Sequence, residues 1–265
     1  MVGALSTAPS AGAATVVVQC PTDNLQTVMN SAQPGSIIVV RGTCSGFFTI
    51  PKNLTLVGPA TLDGGGAAGG LGTVLSVNPG VTASVSYFTI QHGINHEGGG
   101  IYNQGTLALN ASSVSNNQSI FSGTGAGILN DGVSMTINAS QVSNNESPGG
   151  GVAGIFNFTV MTINASSVSN NTASQDAGGI ENIGTLNVNA SRVSSNTSGA
   201  FGGGLFNRGT ATFRASLVSQ NTAADGGGGI NNIGTVNLLA SLVVHNTPDN
   251  CGSSGGPSNV PGCSG

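Results

Sequence analysis

Gly178-Gly179-Ile180-Glu181-Asn182-Ile183-Gly184-Thr185-Leu186-Asn187-Val188-Asn189-Ala190-Ser191-Arg192-Val193-Ser194-Ser195-Asn196-Thr197 is one copy of a pattern that the chain repeats six times. The apolar residue after its glycines returns as Ile101, Ile128, Ile155, Ile180, Leu205 and Ile230, at intervals of 27, 27, 25, 25 and 25 residues. A period of this length is one turn of a solenoid.

Two asparagine columns run through the copies. The first is Asn103, Asn130, Asn157, Asn182, Asn207 and Asn232; the second is Asn117, Asn145, Asn171, Asn196, Asn221 and Asn246. Between them lies an alternating segment such as Thr106-Leu107-Ala108-Leu109-Asn110, whose period of two is that of a half-buried strand. It turns Leu109, Ile137, Ile163, Val188, Phe213 and Leu238 inward, and a further short strand does the same with Val114, Val142, Val168, Val193, Val218 and Val243. Three strands per copy predict an all-β chain, a three-faced, right-handed parallel β-helix. One copy cannot bury its inward row alone, whereas stacked copies place like residues about 4.8 Å apart. The asparagines are expected to take left-handed bends and to hydrogen-bond up the stack, and the Gly-Gly or Ala-Gly pairs to turn sharply at positive φ.

With 265 residues and a repeat filling most of them, one elongated body is expected. Charged residues are 5% and the net charge is −4, so no basic patch exists for a phosphate backbone, and nucleic acid is not expected as a partner. No apolar run approaches the roughly 20 residues of a membrane span, so no transmembrane segment is expected. Aromatics are sparse and Trp is absent, which argues against a sugar site built on stacking. Ser, Thr and Asn would clothe the outside and hydrogen-bond water or sugar hydroxyls.

Residues 1–14, ending Ala11-Gly12-Ala13-Ala14, read as a signal-peptide remnant or a flexible terminus. Residues 15–35 form an expected N-terminal cap. Within it Leu25, Val28, Met29 and Ala32 predict an amphipathic helix, with Asp23 as N-cap, Gln26 as its capping-box partner and Pro34-Gly35 as the stop. The helix would cover the open apolar end of the stack. The β-helix is expected over 36–247, about three degenerate coils followed by the regular repeats of 99–247, or about nine coils and about 45 Å in all. Residues 248–265 are an expected C-terminal cap closed by a disulfide. Four cysteines allow three connectivities. Cys20 and Cys44 lie 24 residues apart, about one coil, so stacking pairs them beside the cap helix and leaves Cys251 with Cys263. Disulfides favour an exported protein.

The segments Cys20-Pro21-Thr22-Asp23-Asn24-Leu25-Gln26 to Gly42-Thr43-Cys44, Asn53-Leu54-Thr55-Leu56-Val57-Gly58, the Gly-Gly-Ile/Leu-x-Asn-x-Gly-Thr coils and Pro248-Asp249-Asn250-Cys251 to Cys263 resemble exported bacterial right-handed parallel β-helix proteins of the pectin-lyase-like superfamily. The coils are also similar to the Gly-Gly-Ala-Ile and Phe-x-x-Asn repeats of polymorphic outer-membrane proteins, with Val-Ser-x-Asn in place of the second motif. This resemblance covers nearly the whole chain. It implies the fold and a secreted or cell-surface bacterial location, but no single activity, because lyases, hydrolases, adhesins and scaffolds share the fold.

A polysaccharide lyase of that superfamily is expected to carry a basic residue and acidic calcium ligands. The chain offers Lys52, four arginines and scattered acids, without clustered carboxylates. Glu181 and Arg208 are expected to face outward on adjacent coils as a surface ion pair; in an enzyme they would be an acid or base beside a carboxylate clamp. His92, His96 and Glu97 are the weak candidates for a metal, in a segment whose glycines predict a loop. No cofactor is expected, and no nucleophile or nucleotide motif is present. The sequons at Asn110, Asn138, Asn164 and Asn189 read as strand-end turns.

The leading expectation is therefore a non-enzymatic scaffold that contacts glycans, cell wall or protein surfaces. The alternative is a polysaccharide lyase or glycoside hydrolase. A third class, ice binding, rests on the outward Thr/Asn rows that include Thr185, Asn187, Thr210 and Thr212.

Overall fold

The computed structural model describes residues 13–253 and 259–263. Most of the expected leader over 1–14, and residues 254–258 and 264–265 of the expected C-terminal cap, lie outside the described residues. The chain winds into a parallel β-solenoid of about nine turns.

Each regular coil but the last carries four strands rather than the three expected, and in the last the fourth is reduced to a single bridge at Thr247. In one coil they are Ile180–Asn182, Thr185–Asn189, Arg192–Ser194 and Thr197–Ser198. The fourth strand has only two residues, too few to display a period of two. In the early coils the second and third strands fuse into the continuous runs Ile37–Ser45, Leu54–Asp63 and Thr82–Gln91. The last of these is where the 16-stranded sheet splits. Its first half pairs with Thr106–Asn110 and its second half with Ser113–Ser115.

Register is set by columns of aliphatic side chains. Ile101, Ile128, Ile155, Ile180, Leu205 and Ile230 stack at zero exposure. Leu109 to Phe213 and Val114 to Val218 form two further buried columns, while Leu238 on the last coil is only partly buried. Burying each such residue stabilises by about 1.5–3 kcal/mol, and a slip of one residue along a strand would turn the whole row to solvent.

Both asparagine columns are buried ladders. In the first, each Nδ2 donates to the Oδ1 of the next coil at 2.7–2.8 Å, from Asn103 through Asn232 and on to Asn259. In the second, from Asn117 through Asn246 to Asn250, the same bond is 2.9–3.1 Å, and each Oδ1 also accepts the backbone N–H of the asparagine below it, as in Asn145 N to Asn171 Oδ1 at 3.0 Å. The left-handed conformation expected of these asparagines belongs to other positions. Ala111, Ala139, Ala165, Ala190, Ala215 and Ala240 have φ between 45 and 50°, and the residue just before each second-column asparagine, from Asn116 to His245, has φ between 55 and 59°. The ladder residues themselves are not among the positive-φ positions.

The glycine pairs also differ from expectation: neither Gly178 nor Gly179 has positive φ. What the second glycine supplies is space. A Cβ on Gly179 would lie 2.4 Å from the Gly204 carbonyl oxygen and 3.0 Å from Asn196 Nδ2, and Gly154 and Gly204 are confined in the same way. Alanine at the first position of the pair, as Ala126 and Ala153, is accommodated at zero exposure.

The cap helix spans Leu25–Ser31 and buries Leu25 and Met29. Its N-cap is Asn24, whose Oδ1 accepts from Thr27 N at 2.9 Å, rather than Asp23, whose carboxylate accepts from Gln19 N at 2.7 Å. Gln26 serves in place of a neighbouring strand: its amide donates to Thr49 O at 2.9 Å and accepts from Thr49 N at 2.7 Å, occupying the edge strand Phe48–Ile50. A second helix, the single turn Gly66–Gly69, was not foreshadowed by any apolar period.

Both disulfides join as expected, Cys20 to Cys44 and Cys251 to Cys263. Each is built into a core column. Cys44 pairs in register with Leu62, and thus with Ile90 and Val114 above it; Cys251 pairs with Ile230. The sulfur takes the place of a core side chain at each end.

Candidate functional site

Glu181 lies in the outward column of the first strands, in register with Phe156 below and Phe206 above. The expected outward parity holds, but the expected surface position holds only for Arg208 and not for Glu181. The loop preceding each first strand folds over this column, and Val152 and Ala177 from two such loops join Leu129, Phe156 and Phe206 in a second apolar cluster. Glu181 is 4% exposed. Arg208 Nε donates to Glu181 Oε1 at 3.1 Å, while its guanidinium lies 4.5 Å from the centre of the Phe206 ring. Burial pushes the Glu181 carboxyl up to about 7, with Arg208 pulling it down and Asp176 pushing it further up. An acid covered on both faces by phenylalanines and across its mouth by a guanidinium has no open side for a substrate. The two candidate catalytic residues are brought together, with the Glu181 carboxylate buried and the Arg208 side chain half-exposed over it.

The outward face of the second strands keeps the expected register. Thr185 stands over Val160 and under Thr210, and Asn187 over Thr162 and under Thr212. The third column, Asn110, Asn138, Asn164 and Asn189, is a further ladder that runs opposite to the buried pair, the Nδ2 of Asn138, Asn164 and Asn189 each donating to the asparagine below at 2.8–2.9 Å. The sequon asparagines are thus strand-end residues held by one another. Beside them the left-handed alanines floor a shallow groove of about 620 Å³ along the axis, with Gln141, Ser167, Arg192 and Leu217 on its far wall. Nothing in the sequence reading marked this groove, since it follows from a backbone bend that alanine does not advertise.

His92, His96 and Glu97 are not brought together as a cluster. His92 sits in a bend at φ 58°, and the expected loop after it is a strand, Ile94–Glu97, paired with Gln118 and Ser119. The partner of His92 is Asp63, with Nδ1 3.1 Å from both carboxylate oxygens. Asp63 also accepts from Gln91 Nε2 at 2.9 Å and Gly65 N at 2.8 Å. Burial opposes its ionisation, but these hydrogen bonds and the histidine outweigh burial and hold the carboxyl below its ordinary value. The signal for Asp63 was positional: it lies one coil before Gln91, with which it is in register. Among the described residues no group of three or more His, Cys, Asp or Glu is placed to hold a metal ion, and no helix is long and apolar enough to cross a membrane.

Comparison with known proteins finds no matching family model, no matching curated protein and no matching solved structure.

Proposed function

We propose that this protein is an exported, non-enzymatic scaffold that recognises neutral glycans of a cell wall or extracellular matrix. The observation that carries the reading is the face of the second strands, where Thr, Ser, Ala and Asn stand in register over four coils with a single apolar interruption, Val160, and no charge before Arg214. Hydroxyls and amides both donate and accept, as do the hydroxyls of a polysaccharide, and the rigid sheet fixes them before the ligand arrives, lowering the entropic cost of binding. Disulfides at both ends fit an oxidising, extracellular location. The motif resemblance to bacterial pectin-lyase-like proteins supports the same location.

The test is retention on insoluble neutral and acidic polysaccharides. The wild type is expected on a neutral polymer, and Thr162→Lys with Asn187→Lys, both on outward positions, should abolish retention while leaving circular dichroism unchanged. A lyase or hydrolase would instead release unsaturated products or new reducing ends, and activity lost on changing Glu181 or Arg208 would overturn the scaffold reading. The in-register Thr columns favour ice as a second ligand. Thermal hysteresis lost in Thr185→Tyr with Thr210→Tyr would establish that reading.

A further inference from the structure

Away from the sheet face, a pocket of about 280 Å³ opens at the corner between the third and fourth strands, where the last early coil meets the first two regular ones. Its chemistry comes from His92, Asn116, Gln118, Asn144 and Glu146, with Ile94 giving an apolar patch. The stacking explains their convergence. His92, Asn116 and Asn144 occupy the left-handed bend of three successive coils, with φ of 58, 57 and 55°, which aligns them in one column. Ile94, Gln118 and Glu146 are paired in register on the adjoining strands as a second column.

We infer that this pocket is a binding site for a single saccharide ring, neutral or amine-bearing, held by its hydroxyls. The Asp63 carboxylate lies 3.1 Å from His92 Nδ1 and fixes the orientation of the ring, leaving Nε2 as its second polar atom. Asn116, Gln118 and Asn144 supply amides that both donate and accept, and Glu146 supplies an acceptor pair. Such a mixed set can satisfy the hydroxyls of a sugar ring, which cost free energy when removed from water without partners. Ile94 offers the apolar contact that a C–H face requires. The charge in and behind the pocket selects further: Glu146 lines it, Asp63 stands behind His92, Glu97 lies on the neighbouring strand, and no lysine or arginine is among the lining residues. A uronate carboxylate would be repelled, whereas an ammonium would be attracted to Glu146. The volume is at the lower limit of small-molecule sites, which start at about 300 Å³, and suits one ring rather than a chain. The inference does not require the sheet face to bind polymer.

Imidazole ¹H–¹³C NMR of the intact protein tests it, since the chain has three histidines and His245 serves as an internal control. The probes are a β-linked glucose tetrasaccharide, its glucosamine counterpart and a galacturonate tetrasaccharide. At least one of the first two should shift the His92 resonance saturably at about 1 mM or below while leaving His245 still, and the galacturonate should not. Glu146→Gln and Gln118→Ala, both outward strand positions, should each weaken that binding about tenfold. No His92 shift with either of the first two probes, an equal shift from galacturonate, or unchanged affinity in both variants would overturn the site. Loss of polymer retention in the Thr162/Asn187 variant with His92 binding intact would separate the two surfaces.

Discussion

Glu181 replaces an aromatic side chain in a column whose neighbours are Phe156 and Phe206, and its carboxyl is more easily protonated folded than unfolded. Because its folded value of about 7 lies above the ordinary 4.5, the folded state binds the extra proton between those limits, and stability falls as pH rises through that window. The full loss is about 3 kcal/mol. Urea unfolding from pH 4 to pH 8 should show this decline, and Glu181→Gln should flatten it and recover most of the difference at pH 8. Asp63 acts in the opposite direction: its lowered value makes its contribution present above about 3.8 and lost as pH falls further. The two effects therefore occupy different pH ranges. The outward direction of Glu181 was legible from its place one residue after Ile180, but its burial was not. That depends on a covering loop, Ser174-Gln175-Asp176-Ala177, with no period to read.

At the scale of the strand and turn, two small residues test the ladders. Gly179→Ala puts a Cβ against the Gly204 carbonyl oxygen, a backbone atom that cannot move without displacing its coil. The expected cost is about 3 kcal/mol. Asn171→Ala leaves Asn145 N and Asn145 Nδ2 without their shared acceptor in a site with zero exposure, and about 3 kcal/mol is again expected. Chemical denaturation of both variants measures this, and a loss below 1 kcal/mol in either would remove the corresponding ladder argument. The inward columns could be read because Val, Ile and Leu recur at one position. Asparagine is the usual occupant of left-handed bends, so the sequence points to the ladder asparagines, whereas Ala190 holds one such bend at φ 46° and Asn182 and Asn196 are kept for the ladders. The two-residue fourth strand, as Thr197–Ser198, carries too little alternation to be seen.

Over the whole molecule, stability is a sum of coil-on-coil contacts, so opening begins at the ends, where a coil has one neighbour. The C-terminal end is held by Cys251 in the column of Ile230 and by Asn259 at the head of the first ladder. Cys263→Ser should lower protection from hydrogen exchange in the last two coils, with a local loss of about 3 kcal/mol, and leave the coils around Ile128 unchanged. Uniform loss along the stack would mean that the solenoid opens as one unit. The fold and both disulfides were legible at this scale because they follow from spacing. The His92 pocket was only half legible: its histidine stood out, but Asn116, Gln118 and Glu146 are ordinary residues until three coils bring them together.

The equal spacing of the last repeats also makes length a separable property of this protein. Removing residues 180–204 would join Gly179 to Leu205, bring Asn157 against Asn207 and Phe156 against Phe206, and leave both capped ends untouched. The shortened chain would meet every register requirement of the present one and differ by a single step of about 4.8 Å. Its sequence thus works as a ruler: coil count sets the distance between the ends, and that distance can change in whole divisions without redesign of either end.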